Sequence, residues 1–367
     1  MKRCLQITAS LRIGGAEKVA RDIGLEARRL GYEVDYLVFG DEVCGYEREL
    51  EDNGCRMIHI PSPSENYRRY FGTLKQLMRQ NKYRVVHAHT MFNIGWAMLA
   101  ARQCGVPIRI AHAHSALNNG HGLKKMIYEK LMRSLILHNA TDLVACGNAA
   151  GIRLFGREAY EKAGKCILNG IDVDRFSFSE EARNRIREEL KLDDAFVIGH
   201  VGHLAPVKNQ AFLIRLLPQI IERRPNAKLL LLGDGEDREK LKALIMKEKL
   251  EDRVIMTGNV RNVPDFLSAM DVFAFPSLFE GMPLSVVEVQ ANGLPCVLST
   301  EVPRDVYLTD LLRPVSLDDP AQWIELICDA ERIEPLRYAS ELQKKGFDCE
   351  TVMKRFMYLY EREETKS

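Results

Sequence analysis

Along nearly the whole chain, short apolar runs alternate with longer amphipathic stretches, and no other feature constrains the fold as much. A short apolar run bounded by turn residues suits a strand buried on both faces. Apolar residues at helical spacing suit a helix that covers a sheet. Strands are expected at residues 5–9, 34–39, 57–60, 85–88, 108–113, 142–146 and 165–168, with a helix at 16–30 ended by Gly31. A second series follows at 197–201, 229–232, 254–256, 272–275 and 296–299, with helices at 210–223, 237–249, 263–269 and 284–291. This is an α/β pattern with two doubly wound parallel sheets. Asn169-Gly170 is a turn signal, and a charged helix at 180–190 leads into the second series. The expected domains are 1–170 and 171–348, followed by a final helical segment, 349–367. In that segment a helix at 349–364 carries Val352, Phe356, Leu359 and Tyr360 on one face, which must be buried; the first domain is one place for it.

The length of 367 residues suffices for two domains without disulfide support. The nine cysteines are odd in number and form no C-x-x-C pair, which argues against a disulfide framework or a zinc ribbon. No secretory signal and no run of ~18 apolar residues is visible, so a cytoplasmic protein is expected. The net charge of +1 hides an asymmetry. Residues 1–167 hold 25 Lys+Arg against 16 Asp+Glu, a net of +9, which leaves 27 against 35, a net of −8, for the rest. An anionic partner for the first half is implied. Nucleic acid is disfavoured because the basic residues are dispersed and no binding motif appears.

In doubly wound folds ligands bind at the carboxyl ends of the strands, and two such domains create a cleft there. The residues after each strand are therefore the candidates. After the first strand, Gly14-Gly15 opens a helix whose free amides and dipole could meet a phosphate or a sugar hydroxyl; a tight turn is the other reading. His87 and His89 share one strand face, as do His112 and His114. His89 and His114 end their strands. They are candidates for acceptor contacts, and a metal site is disfavoured because no carboxylate or cysteine stands at ligand spacing. In the second half, Gly202-His203 leads to Lys208, placed to neutralise a diphosphate; a solvated lysine is the alternative. Gly233-Asp-Gly235 also follows a strand. The string from Phe279 to Pro295 then carries Glu280 on a loop and Glu288 one turn into a helix. The amides of Leu284, Ser285 and Val286 are open at that helix start.

With these motifs in this order the chain resembles the family 4 retaining glycosyltransferases of GT-B fold, in which two Rossmann-like domains face each other across a cleft. The resemblance runs through Gly14-Gly15-Ala16-Glu17, His114, Asn169-Gly170-Ile171-Asp172, Gly202 to Lys208, Gly233-Asp234-Gly235, Gly258, Asp271, Pro276-Ser277 and Glu280-x7-Glu288. It is greatest toward bacterial enzymes of capsular and exopolysaccharide synthesis. It implies a nucleotide-sugar donor, expected to be a UDP-sugar, and transfer with retention to a saccharide or lipid-linked saccharide. The implied catalytic residues are Glu280, His114 and Lys208. Gly15, Gly202, His203, Lys208, Gly258, Val260, Glu280, Gly281, Met282, Pro283, Leu284, Ser285 and Glu288 would hold the donor. Within that set Lys208 meets the diphosphate, Glu288 the ribose, Glu280 the sugar, and Gly258 to Val260 the base. Gly14, Gly15, His89 and His114 would face the acceptor. No metal or other cofactor is expected.

One position departs from the family pattern. His203 stands where an arginine usually joins the lysine. Phosphate binding then leans on Lys208, or His203 titrates, or Arg12 compensates, or activity is reduced. A basic, apolar stretch from His121 to His138 suits a surface helix on an anionic membrane, or an ordinary helix packed on the sheet. Peripheral attachment to the inner face of the plasma membrane is the corresponding expectation. A UDP-sugar epimerase of related shape and a non-catalytic nucleotide-sugar-binding protein are the alternative functions.

Overall fold

The computed structural model describes residues 2–12, 14–63, 66–115, 122–192 and 194–362. The chain forms two compact units, one of residues 1–170 with 350–367 and one of residues 171–349.

In the first unit the apolar runs become seven strands: β1 (Arg3–Ile7), β2 (Glu33–Phe39), β3 (Arg56–Ile60), β4 (Val85–Ala88), β5 (Ile108–Ala113), β6 (Asp142–Ala145) and β7 (Gly164–Cys166). They lie side by side in the order β3-β2-β1-β4-β5-β6-β7, every pair parallel. The order reverses between β1 and β4, the switch point at which loops diverge to leave room for a ligand. β1 stops at Ile7 rather than continuing to residue 9, because Thr8 Oγ1 donates to Ser10 O (2.8 Å) and turns the chain.

The second unit holds β8 (Phe196–Val201), β9 (Ala227–Leu232), β10 (Val254–Gly258), β11 (Val272–Phe275), β12 (Cys296–Ser299) and β13 (Leu312–Val315). Their order is β10-β9-β8-β11-β12-β13, again all parallel, with the switch between β8 and β11. The apolar runs are continuous because both faces are covered. Leu229, Leu231, Val272 and Ala274 pack in one core cluster, and Leu230, Leu232, Phe273 and Phe275 in another. β13 was not expected, since Arg313 and Pro314 interrupt its apolar character. Among the described residues it pairs with β12 alone, and an edge strand tolerates a proline.

The helix Cys349–Glu361 lies in the first unit's core from Glu350 onward. Its Val352, Phe356, Met357, Leu359 and Tyr360 pack with Cys4, Val34, Tyr36, Ile108, Ile110 and Val144. Arg362 then donates to the buried Asp142 (Nη1 to Oδ1, 2.8 Å), which Lys165 also meets at 2.7 Å. Residues 363 and 364, expected in this helix, lie outside the described residues. The helix Glu180–Glu189 begins where Ser179 Oγ accepts from the amide of Ala182 (3.2 Å).

Candidate functional site

In the second unit the candidate residues gather at the carboxyl ends of β8, β9, β10 and β11. The chain leaves β8 through Gly202 and makes a single turn, Pro206–Lys208, that ends on Asn209 in the left-handed region (φ 55°). The amide of Leu278 donates to Val207 O (2.8 Å), and Asn209 Nδ2 donates to Pro276 O (3.3 Å). These bonds tie the loop after β11 to the lysine turn and bring Lys208 Nζ to 2.6 Å from Glu280 Oε1. Lys208 is not a freely solvated lysine. Its ammonium lies 5.1 Å from the centre of the Phe275 ring, and the lysine and glutamate side chains are only 19% and 10% exposed.

The glycines here permit a close approach of backbones. Gly233 has φ 130°, and a Cβ on it would stand 2.1 Å from Gly202 O. The Gly233 amide donates to Gly258 O (2.9 Å), so the ends of β8, β9 and β10 form one rim. Val260, just past β10, is half-buried against the core.

The helix Leu284–Ala291 starts after Pro283 with no side-chain cap. The expectation of three open amides is corrected here: Val286 N turns back to Pro283 O (3.1 Å). Leu284 and Ser285 are left without a backbone acceptor among the described residues. Their N–H groups and the helix dipole still mark a place for negative charge. Gly281 and Met282 lead into this start, and Glu288 is half-buried one turn along it.

His203 is not part of this cluster of contacts. It is exposed, and its Nε2 lies 2.7 Å from Glu236 Oε2. Gly235 makes room for it, since a Cβ there would stand 2.8 Å from His203 Cε1. The sequence reading missed Glu236 as the partner. The Gly-Asp-Gly-Glu run was visible, but the pairing spans two loops. It also missed Arg238, whose Nη1 lies 3.4 Å from Asp234 Oδ1 and 3.6 Å from the place of a Gly258 Cβ.

In the first unit Gly14 caps the helix Gly15–Arg29 in extended conformation and offers no side-chain bond. Burial raises the carboxyl pKa of Glu17, in the first turn. Arg12 is engaged at the surface with Glu42 (2.7 Å). Ile13 lies outside the described residues.

The four histidines in and just after β4 and β5 form a single cluster, with His87, His89 and His112 buried. His89 Nε2 meets Gln6 Oε1 (2.9 Å), and His89 Nδ1 meets His114 Nε2 (2.7 Å). His89 is therefore not available as the direct acceptor contact that was expected, because both ring nitrogens are committed inside the unit. His114 is partly exposed and keeps a buried Nδ1 without a partner among the described residues. His87 Nδ1 meets Tyr360 Oη (3.0 Å), and His87 Nε2 meets His112 Nδ1 (3.1 Å). Burial pushes all four imidazoles toward the neutral form, with His114 down to about 4. Nitrogens of His87, His89 and His112 lie within 4.8 Å of one another, as three metal ligands would. Hydrogen bonds, however, occupy both nitrogens of His87 and His89.

Comparison with known proteins places this geometry in a family. The model for Glycosyltransferase Family 4 matches residues 13–175, and that for Glycosyl transferases group 1 matches residues 182–321. EpsF of Bacillus subtilis, named a glycosyltransferase, is 33% identical over 90% of this chain and 88% of its own. The Escherichia coli UDP-Gal:alpha-D-GlcNAc-diphosphoundecaprenol alpha-1,3-galactosyltransferase is 28% identical over 76% of this chain and 71% of its own. The crystal structure of Anabaena HepE in complex with UDP-glucose superposes with a TM-score of 0.79 at 23% identity, covering 98% of this chain and 99% of that one. With two parallel-sheet Rossmann-like units and matches along both, the chain belongs to the family 4, group 1 glycosyltransferases of GT-B fold, enzymes of the hexosyltransferase type.

Proposed function

We propose that the enzyme transfers a sugar from a UDP-sugar, with retained anomeric configuration, to a lipid-linked saccharide in surface-polysaccharide synthesis. The Lys208–Glu280 pair beside the open helix start at Leu284 carries this reading. Without a ligand the two charges neutralise each other. A diphosphate would draw the ammonium of Lys208 toward itself, and the amides of Leu284 and Ser285 would add to the positive field. Glu280, released from Lys208, would then accept hydrogen bonds from sugar hydroxyls, while Glu288 would hold the ribose. Charge builds on the leaving phosphate as the glycosidic bond stretches toward an oxocarbenium-like state. These fixed donors would stabilise it, with the acceptor proton passing to the departing phosphate. Transfer is accordingly expected to persist in EDTA. His203, held by Glu236, is assigned no direct share in phosphate binding; Lys208 carries that task.

The names of similar proteins support the substrate class. One uses a diphosphoundecaprenol-linked acceptor. Another, a Staphylococcus aureus protein 22% identical over 94% of this chain, is named for capsular polysaccharide biosynthesis. A lipid-linked acceptor needs a membrane-facing surface. The helix Leu123–Asn139 leaves Leu123, Met126, Ile127 and Leu131 between 51% and 73% exposed, interleaved with Lys124, Lys125 and Lys130. Such a face fits the surface of an anionic bilayer. His121, where the expected stretch began, lies outside the described residues. No described helix is long and apolar enough to cross a membrane.

The test is a screen of UDP-sugars for thermal stabilisation, then transfer to a lipid-linked saccharide with the product anomer read by NMR. Inversion at the anomeric carbon, or an epimerised donor formed without acceptor, would refute the proposal. Sedimentation with liposomes should depend on anionic lipid; equal binding to neutral vesicles would remove the membrane surface from it.

A further inference from the structure

Gln6 on β1 divides the buried histidine cluster into two arms, and its amide gives the whole set one direction. Its carbonyl faces His89 Nε2 (2.9 Å), so that nitrogen must carry the proton and donate. A neutral His89 then has a bare Nδ1, which can only accept, and it accepts from His114 Nε2–H (2.7 Å). The amide nitrogen of Gln6 donates the other way, to Tyr360 Oη (2.8 Å). Tyr360 Oη accepts from Gln6 and from Cys4 Sγ (3.7 Å), so its own proton goes to His87 Nδ1 (3.0 Å). His87 therefore donates from Nε2 to His112 Nδ1 (3.1 Å). Every donor in the series finds an acceptor until His112 Nε2–H, which is buried and unpartnered among the described residues. At the opposite end, His114 is left with a bare Nδ1, also buried and unpartnered.

An imidazole in water exchanges between tautomers. Here Gln6, Tyr360 and three histidines leave one, provided the set stays neutral, as its burial favours. The residues come from β1, β4, β5 and the C-terminal helix, all within the first unit. The helix contributes Tyr360, whose hydroxyl together with Cys4 Sγ gives both N–H groups of the Gln6 amide an acceptor; turned round, the amide would leave one of them facing His89 and the other facing none among the described residues. Without that hydroxyl either orientation leaves one N–H of the amide without an acceptor, and the series toward His114 can run in either direction.

We infer that Tyr360 and Gln6 are positioning residues that hold His114 as the Nε2–H tautomer, so that its Nδ1, once acceptor binding uncovers it, accepts a hydrogen bond from a sugar hydroxyl of the acceptor. This rests on the proposed contact of His114 with substrate. The role of the C-terminal helix is then chemical as well as structural: it determines whether a residue at the end of β5 accepts or donates.

Two measurements separate the network from the contact. The first is ring-nitrogen NMR on the full chain labelled with 15N-histidine, with His114 assigned by the signals lost in His114→Gln. Wild type should show His114 protonated at Nε2 and bare at Nδ1, and Tyr360→Phe should give a mixture of tautomers. A wild-type His114 protonated at Nδ1 would overturn the inference. So would stoichiometric Zn2+ binding that shifts the signals of His87, His89 and His112, because the nitrogens would then be ligands. The second is a double-mutant cycle on transfer. Tyr360→Phe should lower kcat about tenfold, the scale of one net hydrogen bond, with little change in donor KM. In the His114→Gln background it should change nothing further. An equal loss in both backgrounds would reduce Tyr360 to a packing role and overturn the inference. If His114→Gln leaves transfer intact, the substrate contact fails, and the NMR result alone judges the network.

Discussion

Replacing Lys208 with methionine keeps a long stem over the Phe275 ring and removes the charge. The structure lets the result be split into two parts. Glu280 has its Oε1 only 2.6 Å from the ammonium, and its side chain is 10% exposed, so the carboxylate loses its main counter-charge in a poorly hydrated place. A hydrogen bond to a charged group is worth ~1.5–3 kcal/mol, and the residual exposure of the pair argues for the lower part of that range. For ~2 kcal/mol, Tm should fall by about 4–8 °C in a domain of this size. Adding Glu280→Gln neutralises the orphaned carboxylate, so the double variant should recover most of that loss. Activity should behave differently. Loss of a preorganised positive charge at the leaving diphosphate should lower kcat about 10²–10³-fold, and the double variant should not recover it. The assays are calorimetry and steady-state transfer from a confirmed UDP-sugar. An unchanged Tm would refute the account of the pair. A kcat restored by Glu280→Gln would refute the assignment of Lys208 to the diphosphate.

Other outcomes follow from the same geometry. Gly233→Ala forces a Cβ to within 2.1 Å of Gly202 O at a backbone φ of 130°, so stabilisation by UDP should disappear while the far-UV dichroism stays near wild type; undiminished UDP stabilisation would contradict the close approach. Phe356→Ala empties a fully buried site in the first unit's core and should cost about 3–5 kcal/mol in urea unfolding. A loss under about 1 kcal/mol would mean that the C-terminal helix contributes little to that core. Acid should weaken the protein through its buried histidines. His114 and His200 are lowered to about 4, so the fold binds fewer protons than the unfolded chain, and stability present above the unfolded value of 6.5 is lost as pH falls from there toward about 4. Each such group adds ~1.4 kcal/mol per pH unit to that slope, and His200→Gln should flatten the curve measured by chemical denaturation; an unaltered slope would show His200 already charged in the fold.

Much of the fold was legible because it rests on local pattern. Continuous apolar runs such as Leu229 to Leu232 can satisfy both sheet faces only when both are covered, and the structure buries alternate residues in two different clusters. Glycine and carboxylate positions such as Gly233, Gly258 and Glu280 were legible too, since they fall at strand ends or in the loops that follow them. β13 was missed because an edge strand needs no apolar run and tolerates Pro314.

The sequence by itself determined that the chain is α/β and doubly wound, the place of twelve of its strands to within about two residues, and that the residue types around their ends suit a nucleotide sugar. Periodicity and strand-end spacing are properties of neighbours along the chain. Only the tertiary structure decided what those residues touch. Lys208 and Glu280 meet through bonds between two loops, His203 turns to Glu236, and His89 turns inward to Gln6. Tyr360 reaches His87 from the far end of the sequence, 273 positions away. A side chain's partner and the tautomer it imposes depend on packing between distant segments, and nothing in local spacing encodes that.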